Sequence, residues 1–155
     1  MPQQDSLNTE AAAHSDVELS PGGVEVDWHD YGEDFATVVI NAPGTGDLQG
    51  FLYTNPTDSA DRVLFVNMFR SEDPGSGQGK KLLSLFKEEG LKHSATTMRG
   101  HFTSQASLGA FASVVGDPSE IAFSDRNSGQ PVAISFEEAM QQPKAYFAAA
   151  PISKA

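Results

Sequence analysis

The sequence predicts an α+β domain: a mixed, mostly antiparallel sheet of about six strands, flanked by helices. Three observations carry that expectation. Runs of alternating or β-branched residues fill 24–69, the pattern of strands. Amphipathic helical stretches at 79–92 and 104–115 come only after them. Between Val63 and Phe102 a strand, a helix and a strand follow one another, which makes one βαβ unit. At 155 residues the chain fits one domain, and a chain of that size buries roughly 68–70% of the surface it exposes unfolded.

Residues 1–23 are polar and acidic with no apolar period, and read as an N-terminal tail with little structure of its own. The domain is expected over 24–147, with a C-terminal tail over 148–155. Val24, Val26 and Trp28 alternate with Glu25 and Asp27 in a half-buried strand. Phe35 to Ile40 is a second strand, stopped by the turn cluster Asn41-Ala-Pro-Gly-Thr-Gly46. Leu48 to Tyr53 is a third, ending at Asn55-Pro56, and the three read as an antiparallel meander. Val63 to Phe69 is apolar except for Asn67, which predicts a central strand covered on both faces. The helix over 79–92 packs through Leu82, Leu83, Leu85 and Phe86, and a strand follows at Ala95 to Phe102. Leu108, Phe111, Ala112 and Val115 form the apolar stripe of the next helix, capped by Thr103 or Ser104 and stopped by Gly116-Asp-Pro118. Ile121 to Phe123 and Val132 to Ser135 flank the turn Arg126-Asn-Ser-Gly129 as a hairpin. Ser135-Phe-Glu-Glu138 is a capping box for a short helix that Pro143 ends.

Composition removes several functions. With no cysteine, disulfide scaffolds, thiolate metal sites and cysteine nucleophiles are excluded. A net charge of −11 argues against nucleic acid, whose binding rests on Lys and Arg. No apolar run approaches the ~20 residues of a membrane helix, and the start carries no secretory pattern. The expectation is therefore a cytoplasmic or otherwise intracellular protein, not secreted, without membrane contact. The charge is uneven: the 12 acids of Met1 to Asp61 meet no Lys or Arg, and all 10 bases follow. Such an acidic half suits a protein partner. His14, His29, His93 and His101 have no metal-ligand spacing, and the cluster Asp27-Trp-His-Asp-Tyr-Gly-Glu-Asp34 lacks the alternation of a calcium loop, so no metal is expected.

The sharpest motif is Pro74-Gly-Ser-Gly-Gln-Gly-Lys-Lys-Leu-Leu83, between an apolar strand and an amphipathic helix. Gly75, Gly77 and Gly79 let the backbone curl its N–H groups inward, the helix start adds a positive dipole end, and Lys80 and Lys81 add charge. That makes an anion site suited to a phosphate or pyrophosphate. It is not a Walker A loop, since Pro74 stands at the first glycine and Lys81 at the hydroxyl position; nor is it a G-x-G-x-x-G fingerprint. His101, just before the second helix, is placed for acid–base work, and Glu72 lies beside the loop.

Phe69-Arg-Ser-Glu-Asp-Pro-Gly-Ser-Gly-Gln-Gly-Lys-Lys-Leu-Leu83 resembles the coenzyme-A loop of the GNAT N-acetyltransferase superfamily, V-x-P-x-x-[RQ]-G-x-G-[IVL]-G-x-x-L-L. The likeness covers about Phe35 to Val115. It implies a GNAT-like fold and acetyl-CoA binding through Phe69, Arg70, Gly75, Ser76, Gly77, Gln78, Gly79, Lys80 and Lys81. It also implies transfer of the acyl group to an amine acceptor, with His101 and Glu72 the candidate catalytic residues. Pro74 and Gln78 depart from the motif, no helix pair fits between Trp28 and Phe35, and the family's tyrosine falls on Phe111 or Ala112. Those departures equally suit a non-catalytic protein that keeps the fold and acts in a larger assembly.

Overall fold

The computed structural model describes residues 14–20, 23–72 and 77–152, the first of these stretches by its backbone. Among them nine strands form one sheet. The strands are β1 (His14–Ser20), β2 (Val24–Asp30), β3 (Phe35–Ala42), β4 (Gly46–Asn55) and β5 (Asp58–Ser71), followed by β6 (Thr97–Gly100), β7 (Ala122–Asp125), β8 (Pro131–Val132) and β9 (Tyr146–Pro151). Their spatial order is β1-β2-β3-β4-β5-β6-β9-β7-β8. Every pairing is antiparallel except β5 with β6. The helices are α1 (Gln78–Lys92), α2 (Gln105–Val115) and α3 (Phe136–Gln141). The α+β class and the mostly antiparallel sheet are as the alternation predicts.

All three helices contribute to one core on one face of the sheet. Val38, Ile40, Leu48, Leu64 and Met98 on the strands join Leu82, Leu83, Phe86 and Phe111 on the helices in this core, all fully buried. The helix approaches closely because Gly50 leaves space: a Cβ there would strike the Phe86 ring and the Phe65 carbonyl. One charge lies in this core. Glu89, 5% exposed, accepts from Trp28 Nε1 at 2.9 Å and pairs with Lys92 at 2.9 Å, while His93 stacks on Trp28 at 3.9 Å. Both carboxylate oxygens are thus satisfied, which a buried carboxylate requires.

The other face has no helix on it among the described residues. A row of rings crosses it: His29, Tyr31, Phe35, Phe51, Phe65, Phe147 and His101, with successive centroids 4.7–6.3 Å apart. This corrects the expectation for Val63 to Phe69. The strand is central, but it is covered on one face only, and Met68 is 54% exposed.

Two boundaries also change. His14–Ser20, placed by the sequence in a tail over 1–23, pairs with β2 along its whole length; residues 1–13 lie outside the described residues. The domain does not end at 147, because β9 runs from Tyr146 to Pro151 between β6 and β7. Ala148 and Ala150 are buried there, 2% and 3% exposed, where the narrow space against the helices takes a methyl group. An alanine run carries neither β-branching nor alternation, so nothing in the sequence marks it as a strand.

Candidate functional site

The only parallel pair in the described sheet is a short one. β5 and β6 pair from Val63–Thr97 to Val66–Gly100 and then part. Beyond that point β5 continues to Ser71, whereas β6 ends at Gly100 and the backbone turns at His101 toward α2. A cleft of about 610 Å³ opens between them, lined by Phe65, Asn67, Phe69, His101, Ser104 and Phe147 among others. The edge of β5 facing the cleft has no strand partner among the described residues. Its N–H and C=O groups are therefore offered to a bound molecule.

A bulge sits at this same place. Gly50 pairs with Val66 and Gln49 with Met68, so Asn67 is an extra residue on β5. The extra residue resets the alternation. Met68 stays with Gln49 on the open face, and Phe69 joins Leu48 on the helix face. There Phe69 lines the cleft and also a second groove, about 600 Å³, that runs on between the start of α1 and one face of α2.

The second groove is shaped by small residues. Gly77, Gly79 and Lys80 form one wall, and Ala106, Gly109, Ala110 and Ser113 form the other. Gly77 caps α1 with φ 85°, a left-handed value that glycine adopts without strain, and no side chain caps the helix. The first-turn N–H groups of any helix lack intrahelical acceptors. Here they lie at the groove beside Lys80, so the helix dipole and the ammonium give this wall a positive character. Ser104 and Ser107 line both cavities and join them. The two serines form the capping box of α2, each side chain bonded to the other's backbone N–H.

The sequence-predicted residues divide accordingly. Phe69, Arg70, Gly77, Gly79 and Lys80 line the groove. Arg70 is also paired with Asp47 at 2.8 Å, and that carboxylate raises its pKa, first by the hydrogen bond and then by its charge. Gln78 faces the β3–β4 turn, donating to the Gly44 carbonyl at 3.0 Å. Lys81 is exposed and is not among the residues lining the groove. Gly75 and Ser76 lie outside the described residues. Glu72 is exposed at the end of β5 and lines neither cavity. His101 lines the cleft, its Nε2–H donating to the Lys144 carbonyl at 2.8 Å, which leaves Nδ1 as the basic nitrogen. Phe111 and Ala112 both point into the core, 0% and 5% exposed, so neither position addresses the groove.

Sequence reasoning missed Arg126 and Phe147, which close the open-face end of the cleft. Arg126 reads as part of a turn, and Phe147 belongs to the unmarked strand β9. The acidic stretch of 27–34 leads from β2 into the turn before β3, and no group of three metal-ligating side chains is found among the described residues. No described helix is long and apolar enough to cross a membrane. No protein-family model matches this chain and no curated protein gives a match.

Proposed function

We infer that the protein is an acetyl-CoA-dependent N-acetyltransferase of the GNAT type. One observation carries the reading. A parallel strand pair splays open beside a glycine-capped helix start, and the cleft so formed is continuous with a groove of small residues. An extended pantetheine arm suits the unpaired edge of β5, and a pyrophosphate suits the α1 start with Lys80. Gly109 supports the fit, since a Cβ added there would meet nothing within 4 Å. Acetyl-CoA supplies the acyl thioester as the second substrate.

What the chain contributes is position and proton handling. Edge amides of β5 hold and polarise the acyl carbonyl. His101 Nδ1 takes a proton from the acceptor ammonium, leaving a neutral amine at the cleft. The new N–C bond forms as the C–S bond breaks, and the amine's second proton ends on the departing sulfur. A thiol has a pKa near 8.5, so its departure needs little acid help. That removes the need for a tyrosine at Phe111 or Ala112.

The test is calorimetry of acetyl-CoA against the wild type and Gly79→Asp. The wild type is expected to bind. The variant is expected to lose affinity at least tenfold while keeping its melting temperature, because a carboxylate in a helix's first turn favours the helix yet repels a phosphate. The Cβ at position 79 would meet the Phe69 ring at 3.0 Å, a side chain able to give way. Absence of wild-type binding would sink the proposal. It would favour the second reading, a non-catalytic protein that binds a partner through its acidic half or its uncovered aromatic face.

A further inference from the structure

At the open-face end of the cleft two guanidinium groups flank one ring. Arg99 lies 4.5 Å from the centroid of Phe147 and Arg126 lies 5.6 Å from it. Neither has a carboxylate partner among the described residues. In a chain with 21 acids and 10 bases, these two adjacent guanidinium groups form a local positive patch, and Arg126 is exposed where an anion entering the cleft would meet it. Arg126 has a further contact: its Nε donates to His101 Nδ1 at 3.4 Å. The residue placed to receive an anion therefore touches the nitrogen placed to deprotonate the amine.

We propose that the acceptor is an amino acid, an amine carrying its own carboxylate a few bonds away, and that Arg126 reads the carboxylate. This rests on the acetyl-transfer reading and names its substrate class. The short reach follows from geometry, since the anion site and the base are in contact. A simple cationic amine would be repelled by Arg99 and Arg126 and would find His101 Nδ1 occupied. An amino acid instead draws the Arg126 guanidinium onto its carboxylate, and the same movement uncovers Nδ1 beside the ammonium. Arg99, held over Phe147 from the other side, adds field without needing contact.

The experiment compares phenylalanine with phenylalaninamide, which keeps the amine and ring and removes the negative charge. Both are titrated by calorimetry into protein saturated with coenzyme A, and both are assayed with acetyl-CoA. Phenylalanine is expected to bind and to react with a kcat/KM roughly ten- to a hundredfold above the amide, the range of a charge-assisted pair. Arg126→Gln should bring that ratio near one, and Arg126→Lys should restore part of it. Acetyl-CoA affinity, measured separately in each variant, should change far less than that ratio, since Arg126 stands at the open-face end of the cleft and not in the groove of small residues. Equal binding of acid and amide, or a ratio unchanged in Arg126→Gln, overturns the proposal while leaving the cofactor reading intact. Loss of acetyl-CoA binding by the wild type overturns both.

Discussion

At the scale of single residues, Gly109 separates folding from function. It sits inside α2, where glycine costs about 0.5–1 kcal/mol relative to alanine. Its φ is ordinary, and a Cβ would enter open space. Gly109→Ala should therefore raise the melting temperature, with little effect on ligand binding. Gly109→Leu should keep most of that gain while filling the groove between α1 and α2, lowering acetyl-CoA affinity at least tenfold by calorimetry. A stabilised Gly109→Leu protein that binds as well as wild type would show that the groove is not the cofactor path. The glycine loop before α1 was legible because its chemistry is local: Gly77, Gly79 and Lys80 are neighbours in sequence and remain so in space. Arg126 was not legible, because its meaning depends on His101 and Phe147, which only the fold brings beside it.

At the scale of elements, the bulge in β5 decides what the cleft looks like. The pattern Val63-Leu-Phe-Val-Asn-Met-Phe69 reads as a plain strand, and in a regular ladder Phe69 would share a face with Phe65. The structure instead turns Phe69 to the helix side, where it lines the groove. Asn67, the lone polar residue of that run, was the only trace of the bulge in the sequence. Deleting Asn67 should leave a regular strand, because Val66, Met68 and Phe69 already alternate correctly against Gly50, Gln49 and Leu48. The expected outcome is a protein that melts within a few degrees of wild type but binds acetyl-CoA far more weakly, as the strand edge and its kink change together. Collapse of the fold on deletion would mean that the bulge serves the sheet rather than the site. The helices were legible for a different reason: Leu82, Leu83 and Phe86, and Leu108, Phe111 and Ala112, repeat at helical spacing and are buried.

Over the whole molecule, the acidic excess sets how stability responds to pH. Three aspartates have pKa values held below the ordinary one by their roles in the framework. For Asp61, burial pushes upward, but hydrogen bonds from Thr97, Asn55 and Thr96 at 2.6, 3.0 and 2.8 Å outweigh it. That carboxylate ties β6 to the β4–β5 connection. Asp117 is lowered by the Ser119 hydroxyl and then its backbone N–H, at 2.8 and 3.0 Å. Asp125 is lowered by the N–H groups of Ser128 and then Asn127, at 3.0 and 2.7 Å, within the β7–β8 turn. In each case the unfolded chain binds the proton more readily than the folded one. Stability from these groups is therefore fully present above the unfolded carboxylate pKa of ~3.9 and is lost as pH falls through the lower folded values. Protonation also relieves the repulsion implied by a net charge of −11, but that term is diffuse and screened by salt. Urea midpoints in moderate salt should hold steady from about pH 7 to 5 and fall below about pH 4. Asp61→Asn offers an amide donor where the carboxylate accepted from Asn55, so it should unfold earlier at pH 7 yet lose less on acidification. An acid limb as steep in Asp61→Asn as in the wild type would show that the hydrogen bonds from Thr96, Thr97 and Asn55 are not what the proton breaks.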